Sequence, residues 1–404
     1  MSTIVDPRTT VLDTYSEREH RVYMPTFKRQ PLLLVRGEGC YVWDDAGNRY
    51  LDLVAGIAVN VLGHAHPAIV RALVEQGQTL IHTSNLYYTM PQIELAELLV
   101  RLTGMERVFF TNSGAEANET AVKLARKFGK RHRGGAYGII TARASFHGRT
   151  LTMVAATGQE KYQAPFTPLP PGFSHVPFND LPALAAAVDA QTVAVMLEPV
   201  QGEGGIHPAD HQYLHGVRRL CDERGLLLIL DEVQSGVGRT GTFLAAQGYG
   251  VRADIVTLAK GICGGLPAGA ALASGEASSF EPGDHGSTMG GNPLVCAAGL
   301  ATLRTILDEG IMEHAASAGA HFLARLEALQ RQVPGVAGVR GLGLMLALDL
   351  EEPRAAEVVG LARGRGLLLN NTGPSTLRMV PPLVISHDQI DAAVDILAAV
   401  LRTL

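Results

Sequence analysis

The chain has 404 residues, 47% of them hydrophobic and 18% charged, with 45 Gly, 21 Pro and a net charge of −5. That length suffices for two domains or for one large α/β core with an appendage, and the mixed composition excludes disordered, collagen-like and coiled-coil classes. The negative balance offers no general attraction to nucleic acid or to an anionic membrane, which favours a small-molecule partner.

Along the chain, residues 1–21 mix acidic and basic side chains without an apolar stretch, so no signal peptide is expected and the location implied is cytoplasmic. Segments 32–36 and 40–44 read as a hairpin. Strand-like apolar runs at 108–110, 138–141, 153–155, 193–197, 226–230, 255–258 and 268–273 then alternate with helix-like segments, the pattern of parallel strands joined by helical crossovers. The run 226–230 is apolar at every position, as a strand covered on both faces requires. The apolar stretch 181–200 is broken by Asp189 and Glu198 and reads as a helix followed by a strand, not as a membrane span.

Beyond Asn292 the spacing predicts helices over 293–307 and 311–332, a strand over 342–350, a helix over 354–365, strands at 367–370 and 377–380, and a helix over 388–401. The expected architecture is a large domain, 63–292, with a mostly parallel doubly wound sheet, and a smaller α/β domain built from both chain ends, 1–62 with 293–404. Cys40, Cys221, Cys263 and Cys296 lie far apart, which suits buried reduced thiols and neither a zinc motif nor a disulfide framework.

The residues that follow the strands carry the chemistry, because ligands of open parallel sheets bind beyond the carboxyl ends of strands. Asn112-Ser113-Gly114-Ala115-Glu116 leads from a strand into a helix, so Ser113, Gly114 and Ala115 can offer backbone N–H groups to a phosphate. Asp231 ends an apolar strand, where a carboxylate needs a cationic partner. Lys260 is one of only six lysines; it follows the next strand, and a desolvated amine there can form a Schiff base. A phosphate-holding helix, a buried Asp and a strand-end Lys together describe a site for pyridoxal phosphate, with Asp231 at the pyridinium nitrogen and Lys260 as the imine partner.

The blocks 113–118, 146–150, 198–205, 230–236 and 286–293 resemble the signature segments of class III pyridoxal-phosphate aminotransferases, over almost the whole chain. Segments 56–60, 84–88 and 377–383 are most similar to the acetylornithine aminotransferases of that class. The resemblance implies the aspartate-aminotransferase-like fold type I and a homodimer with shared active sites. It further implies that Phe146 stacks on the cofactor ring, that Val233 also contacts the cofactor, that Gln234 bonds the phenolic oxygen, and that Thr288 binds the phosphate across the dimer. On the substrate side it implies that Arg149 takes the α-carboxylate, that Ser287 touches the substrate, and that Glu203 and Arg378 form a switchable pair. Ile57 stands where ornithine aminotransferases carry a tyrosine and suits a blocked amine. The implied reaction moves the δ-amino group of N2-acetylornithine to 2-oxoglutarate. The alternative donors are a carrier-protein-linked lysine precursor, N-succinyl-diaminopimelate, ornithine and 4-aminobutyrate.

Three other features read more simply. Gly236-Val237-Gly238-Arg239-Thr240-Gly241 matches a dinucleotide fingerprint but has no acidic residue at the required distance, so it reads as a loop. His64-Ala65-His66 lacks a third metal ligand, and the basic run 127–133 suits a helix C-terminus.

Overall fold

A computed structural model describes residues 10–404; part of the 1–21 segment, residues 1–9, lies outside the described residues. A seven-stranded sheet organises the chain, in the spatial order Arg107–Thr111, Gly269–Ala273, Ile255–Leu258, Leu227–Asp231, Thr192–Leu197, Gly138–Ala142, Phe173–Val176. Its central strands, Leu227–Asp231 and Thr192–Leu197, are buried at every position, with helices on both faces.

The strands pair in parallel from Ile255–Leu258 to the Phe173–Val176 edge. Gly269–Ala273 departs from the expected direction and runs antiparallel to both of its neighbours. Only residues 259–268 separate it from the preceding strand, fewer than the roughly dozen that a parallel crossover needs. The expected strand at 153–155 is part of a helix, Leu151–Ala156. Thr150 caps it by accepting a hydrogen bond from Met153 N (3.3 Å), and a three-residue apolar run carries no period that separates helix from strand. The edge strand Phe173–Val176 was not expected, because Ser174 and His175 interrupt its apolar pattern.

Among the remaining elements, the expected strand at 342–350 is a hairpin, Val336–Leu342 with Met345–Leu350, turning at Gly343 with φ +56°. Leu34–Glu38, Tyr41–Asp44 and Arg49–Asp52 form an antiparallel ribbon. Leu367–Leu368 joins that ribbon in parallel, Leu367 opposite Leu51, so the two ends of the chain share one sheet. The four cysteines are buried and free. No helix among the described residues is long and apolar enough to cross a membrane.

The helix Gly114–His132 positions the site. Ser113 caps it, its hydroxyl accepting from Glu116 N (3.2 Å), and Ala117, Ala121, Ala125 and Gly129 lie on its buried side. The basic run sits in its last turn, where Lys130, Arg131 and His132 complement the helix dipole. Gly129 is there for space: a Cβ would stand 1.9 Å from Ala136 O and 2.9 Å from Val193 Cγ2. Alanine is the better helix former by ~1 kcal/mol, yet Gly129→Ala should destabilise the protein by ~1–3 kcal/mol through overpacking against backbone. Denaturant unfolding of wild type and variant checks this; a variant as stable as wild type would show that the loop at Ala136 yields freely.

Candidate active site

The carboxyl ends of five strands open onto one cavity of about 450 Å³. From Arg107–Thr111 come Ser113, Gly114 and Ala115; from Leu227–Asp231 come Asp231, Val233 and Gln234; from Ile255–Leu258 comes Lys260. Thr192–Leu197 leads to Glu198 and Glu203, and the loop after Gly138–Ala142 brings Phe146 and Arg149. The helix after Ser113 starts its hydrogen bonding with Ala117 N to Ser113 O (3.0 Å), so the N–H groups of Gly114 and Ala115 precede the first helical bond.

Asp231 is 4% exposed and fully engaged from behind. Its Oδ2 accepts from Asn118 Nδ2 (2.7 Å) and His147 Nδ1 (2.8 Å), while Oδ1 accepts from Val233 N (3.0 Å). Thr257 fixes the amide orientation of Asn118 by donating to its Oδ1 (2.6 Å). Burial penalises the His147 imidazolium, but the hydrogen bond and charge of Asp231 outweigh that penalty and raise its pKa. Nearby Glu198 is pushed up to about 7 by burial, with His147 pulling it down; it accepts from Phe146 N (3.0 Å) and Gly202 N (3.2 Å) and so fixes two segments of the cavity wall.

Lys260 sits in a tight turn at φ +42°, a backbone region that side-chain-bearing residues rarely adopt. Desolvation in the cavity lowers its pKa, with Glu203 pulling the other way. The wall opposite is an ion pair: Arg378, 1% exposed, donates to Glu203 and reaches Asn370 Oδ1 (3.3 Å). Burial alone would raise the Glu203 pKa, and the charge and hydrogen bond of Arg378 hold it below its ordinary value.

Several expected site residues stand off the cavity. Ser287 Oγ accepts from Asn112 Nδ2 (3.1 Å), one residue from the phosphate segment, while Thr288 is exposed. Ile57 is 40% exposed at φ +65°, and it is Val59, two residues on, that lines the wall. Sequence reasoning missed Asn118, His147 and Tyr162. Asn118 lies one turn after Gly114 and so on the same helix face, a signal available from spacing; His147 sits inside the 146–150 block; nothing local singles out Tyr162.

A sequence profile described as aminotransferase class III matches residues 23–401. The acetylornithine aminotransferase of Caldanaerobacter subterraneus subsp. tengcongensis is 52% identical over 384 residues, which cover 95% of this chain and 98% of that one. The structure of ornithine aminotransferase from Toxoplasma gondii, with pyridoxal phosphate partly occupying its active site, superposes with a TM-score of 0.93 at 31% identity, covering 98% of this chain and 96% of that chain. N-acetylornithine aminotransferase from Stenotrophomonas maltophilia K279a superposes at 0.82 with 38% identity, covering 96% and 98%. The chain belongs to the class III aminotransferases. Its architecture is the fold type I of pyridoxal-phosphate-dependent transferases, and the α/β expectation holds.

The cofactor of this class is pyridoxal 5′-phosphate, and the cavity fits it. A Cβ on Gly114 would stand 2.7 Å from Val233 Cγ1, so only glycine keeps the helix start this close to the Asp231 strand. Asp231 Oδ1 accepts a single hydrogen bond on this chain and keeps acceptor capacity for a protonated ring nitrogen. Gln234 packs beneath Gly202, where a Cβ would stand 2.2 Å from its Oε1, and that oxygen is buried without a partner.

A lowered lysine pKa means that the neutral amine is present at a pH where an ordinary lysine is still charged. The rate at which the cofactor-free protein captures an aldehyde reagent should therefore rise with pH through a midpoint below 10.5, the ordinary lysine value. Stopped-flow absorbance measures it; a midpoint at the ordinary value would remove the depression.

Proposed function

We propose that this transaminase moves the δ-amino group of N2-acetyl-L-ornithine to 2-oxoglutarate, giving N-acetyl-L-glutamate 5-semialdehyde and L-glutamate, a step of arginine biosynthesis. The observation that carries this reading is the contrast between two arginines. Arg149 lines the cavity with no salt bridge among the described residues, whereas Arg378 is buried against Glu203. One open and one masked cation suit a donor with a single carboxylate and an acceptor with two. Relatives of the chain named acetylornithine aminotransferase support the donor.

When bound, pyridoxal 5′-phosphate supplies the aldehyde that takes up the amino group and the ring that withdraws electrons. Ser113, Gly114 and Ala115 would hold its phosphate, Asp231 its ring nitrogen, Phe146 and Val233 its ring, and Gln234 its phenolic oxygen. Asp231 keeps a proton on that nitrogen because a buried anion favours the charged form opposite it. Arg149 orients the donor through a forked contact with the α-carboxylate. Lys260 carries the proton to and from the donor's Cδ. Glu203 releases Arg378 when the dicarboxylate enters.

We further propose that the functional unit is a cytoplasmic homodimer in which Thr288 completes the other protomer's phosphate cup. Thr288 adjoins a run of exposed apolar side chains, Leu86, Tyr87, Tyr88, Met90 and Met289, whose loop is tied to it through Asn85 Nδ2 and Ser287 O (2.8 Å). The division into 63–292 and 1–62 with 293–404 is proposed on the sheet memberships: the seven-stranded sheet lies within 107–273, and Leu51 pairs with Leu367.

Lys260→Ala should keep the cofactor through dialysis, held by the phosphate cup, and lose ~10²–10⁴-fold in turnover. Near wild-type turnover in that variant would misassign the lysine. Arg149→Lys should lose about 1.5–3 kcal/mol in kcat/KM for acetylornithine, because a point charge replaces the fork. A diamine without the carboxylate should lose almost nothing further. Equal losses for the two amines would leave Arg149 with a structural role and remove the support for this donor.

A further inference from the structure

Arg149 raises a positioning problem. It is exposed at the cavity mouth, and among the described residues no carboxylate or carbonyl holds its guanidinium. A long cationic side chain left free would spend most of its time away from the productive geometry and would lose rotamer entropy on each binding event. A carboxylate partner would solve this but would compete with the substrate for the same N–H groups.

The structure solves it with an aromatic face. Arg149 Cζ lies 3.9 Å from the ring centroid of Tyr162, closer than its 5.4 Å to Phe146. Attraction to a ring face uses the flat side of the guanidinium and leaves its edge donors free. Tyr162 is in turn fixed on two sides. Its ring meets Phe146 edge to face at 5.9 Å and 80°, and its short helix, Glu160–Gln163, is bolted to the Arg149 loop. Gln159 Nε2, just before the helix, donates to Ser145 O of that loop (3.0 Å), and Gln163 Nε2 ties the helix to its own connector at Thr157 O (2.8 Å). The residues flanking Arg149 are held separately, the backbone by His147 N to Thr157 Oγ1 (2.9 Å) and the Thr150 side chain by Glu119 Oε1 (2.6 Å). The side chain is the part left for Tyr162 to hold. Lys161 Nζ also approaches the ring, at 4.8 Å, farther than the Arg149 guanidinium carbon.

We propose that Tyr162 is a positioning residue for the carboxylate-binding arginine: its ring holds the Arg149 guanidinium plane at the cavity mouth and leaves the N–H edges open to the donor's α-carboxylate. This rests on the assignment of Arg149 as the carboxylate contact. What Tyr162 contributes is its π face, so the hydroxyl is dispensable and the ring is not.

The test compares Tyr162→Phe, which keeps the face, with Tyr162→Leu, which keeps an apolar group and removes it. Three quantities are measured in each holoenzyme: kcat and KM for N2-acetylornithine, kcat/KM for N-acetylputrescine, which lacks the carboxylate, and the calorimetric Kd of N-acetyl-L-norvaline, which has the carboxylate but no terminal amine. Tyr162→Phe should match wild type within about twofold in all three. Tyr162→Leu should weaken acetylornithine KM and norvaline binding by roughly three- to tenfold, the size of a partly exposed cation–π contact, with kcat and N-acetylputrescine turnover within about twofold. Equal losses with and without the carboxylate, a loss confined to cofactor affinity through Phe146, or a Tyr162→Leu enzyme indistinguishable from wild type would each overturn the proposal. A wild type whose norvaline affinity is unchanged by Arg149→Met instead overturns the carboxylate assignment. A wild type inactive on acetylornithine overturns the donor, and L-glutamate then replaces it as the carboxylate probe.

Discussion

A carboxylate buried at the end of the central strand is the constraint around which this molecule is arranged. An unpartnered Asp231 would cost several kcal/mol, and its cost is offset by the neighbouring Val233 N–H and by two donors far away in sequence, Asn118 and His147. Each of the two distant donors requires its own element to arrive in register. Asn118 needs the helix after Ser113 to start beside the strand end, which Gly114 permits and a side chain there would prevent. His147 needs its loop folded under that helix, and the contact of Gly148 with Ala115, where a Cβ would stand 2.7 Å away, shows how close that approach is. Satisfying one buried charge therefore brings phosphate cup, ring nitrogen contact and aromatic wall to one place.

The electrostatics of the cavity follow from the same economy. Lys260 is held among Asp231, Glu198 and Glu203, yet desolvation still lowers its pKa, which keeps a neutral amine available. Arg378 and Glu203 neutralise each other in the wall; separating them leaves a buried charge unless an incoming anion replaces Glu203. That requirement couples the exposure of Arg378 to the arrival of a second carboxylate. Arg149, oriented by a ring instead of by an anion, has no such condition to meet, so the two arginines differ in readiness although they carry the same charge.

Glycine marks the places where function needs close approach. Gly202 lets Gln234 lie beneath the cavity floor, and Gly129 lets the cup helix settle on the sheet. At Ala55, Ile57 and Ala58, by contrast, residues with side chains hold positive φ angles beside Val59 of the cavity wall. That turn is kept in place from both flanks, Val380 N bonding Leu53 O (2.8 Å) and Leu383 N bonding Val61 O (2.7 Å). The segment that follows the Arg378 strand, Thr376–Met379, thereby supports the turn that carries Ile57.

By itself the sequence determined whatever depends on short spacings. The apolar run before Asp231, the Ser113-Gly114-Ala115 step from strand to helix, and Lys260 after its strand are local patterns, and a parallel sheet places their ends together. The helix Ile311–Gln332 was legible to the residue because its apolar period is long. Tertiary structure decided what depends on contacts between distant segments. It turned Gly269–Ala273 antiparallel, because the connection is too short to cross over. It converted the apolar run at 153–155 into helix, because a cap and packing outweigh a pattern of three residues. It recruited His147 and Asn118 to Asp231 and set Tyr162 under Arg149, since partners for a buried charge or a free cation are chosen by proximity in space, and no spacing along the chain records it.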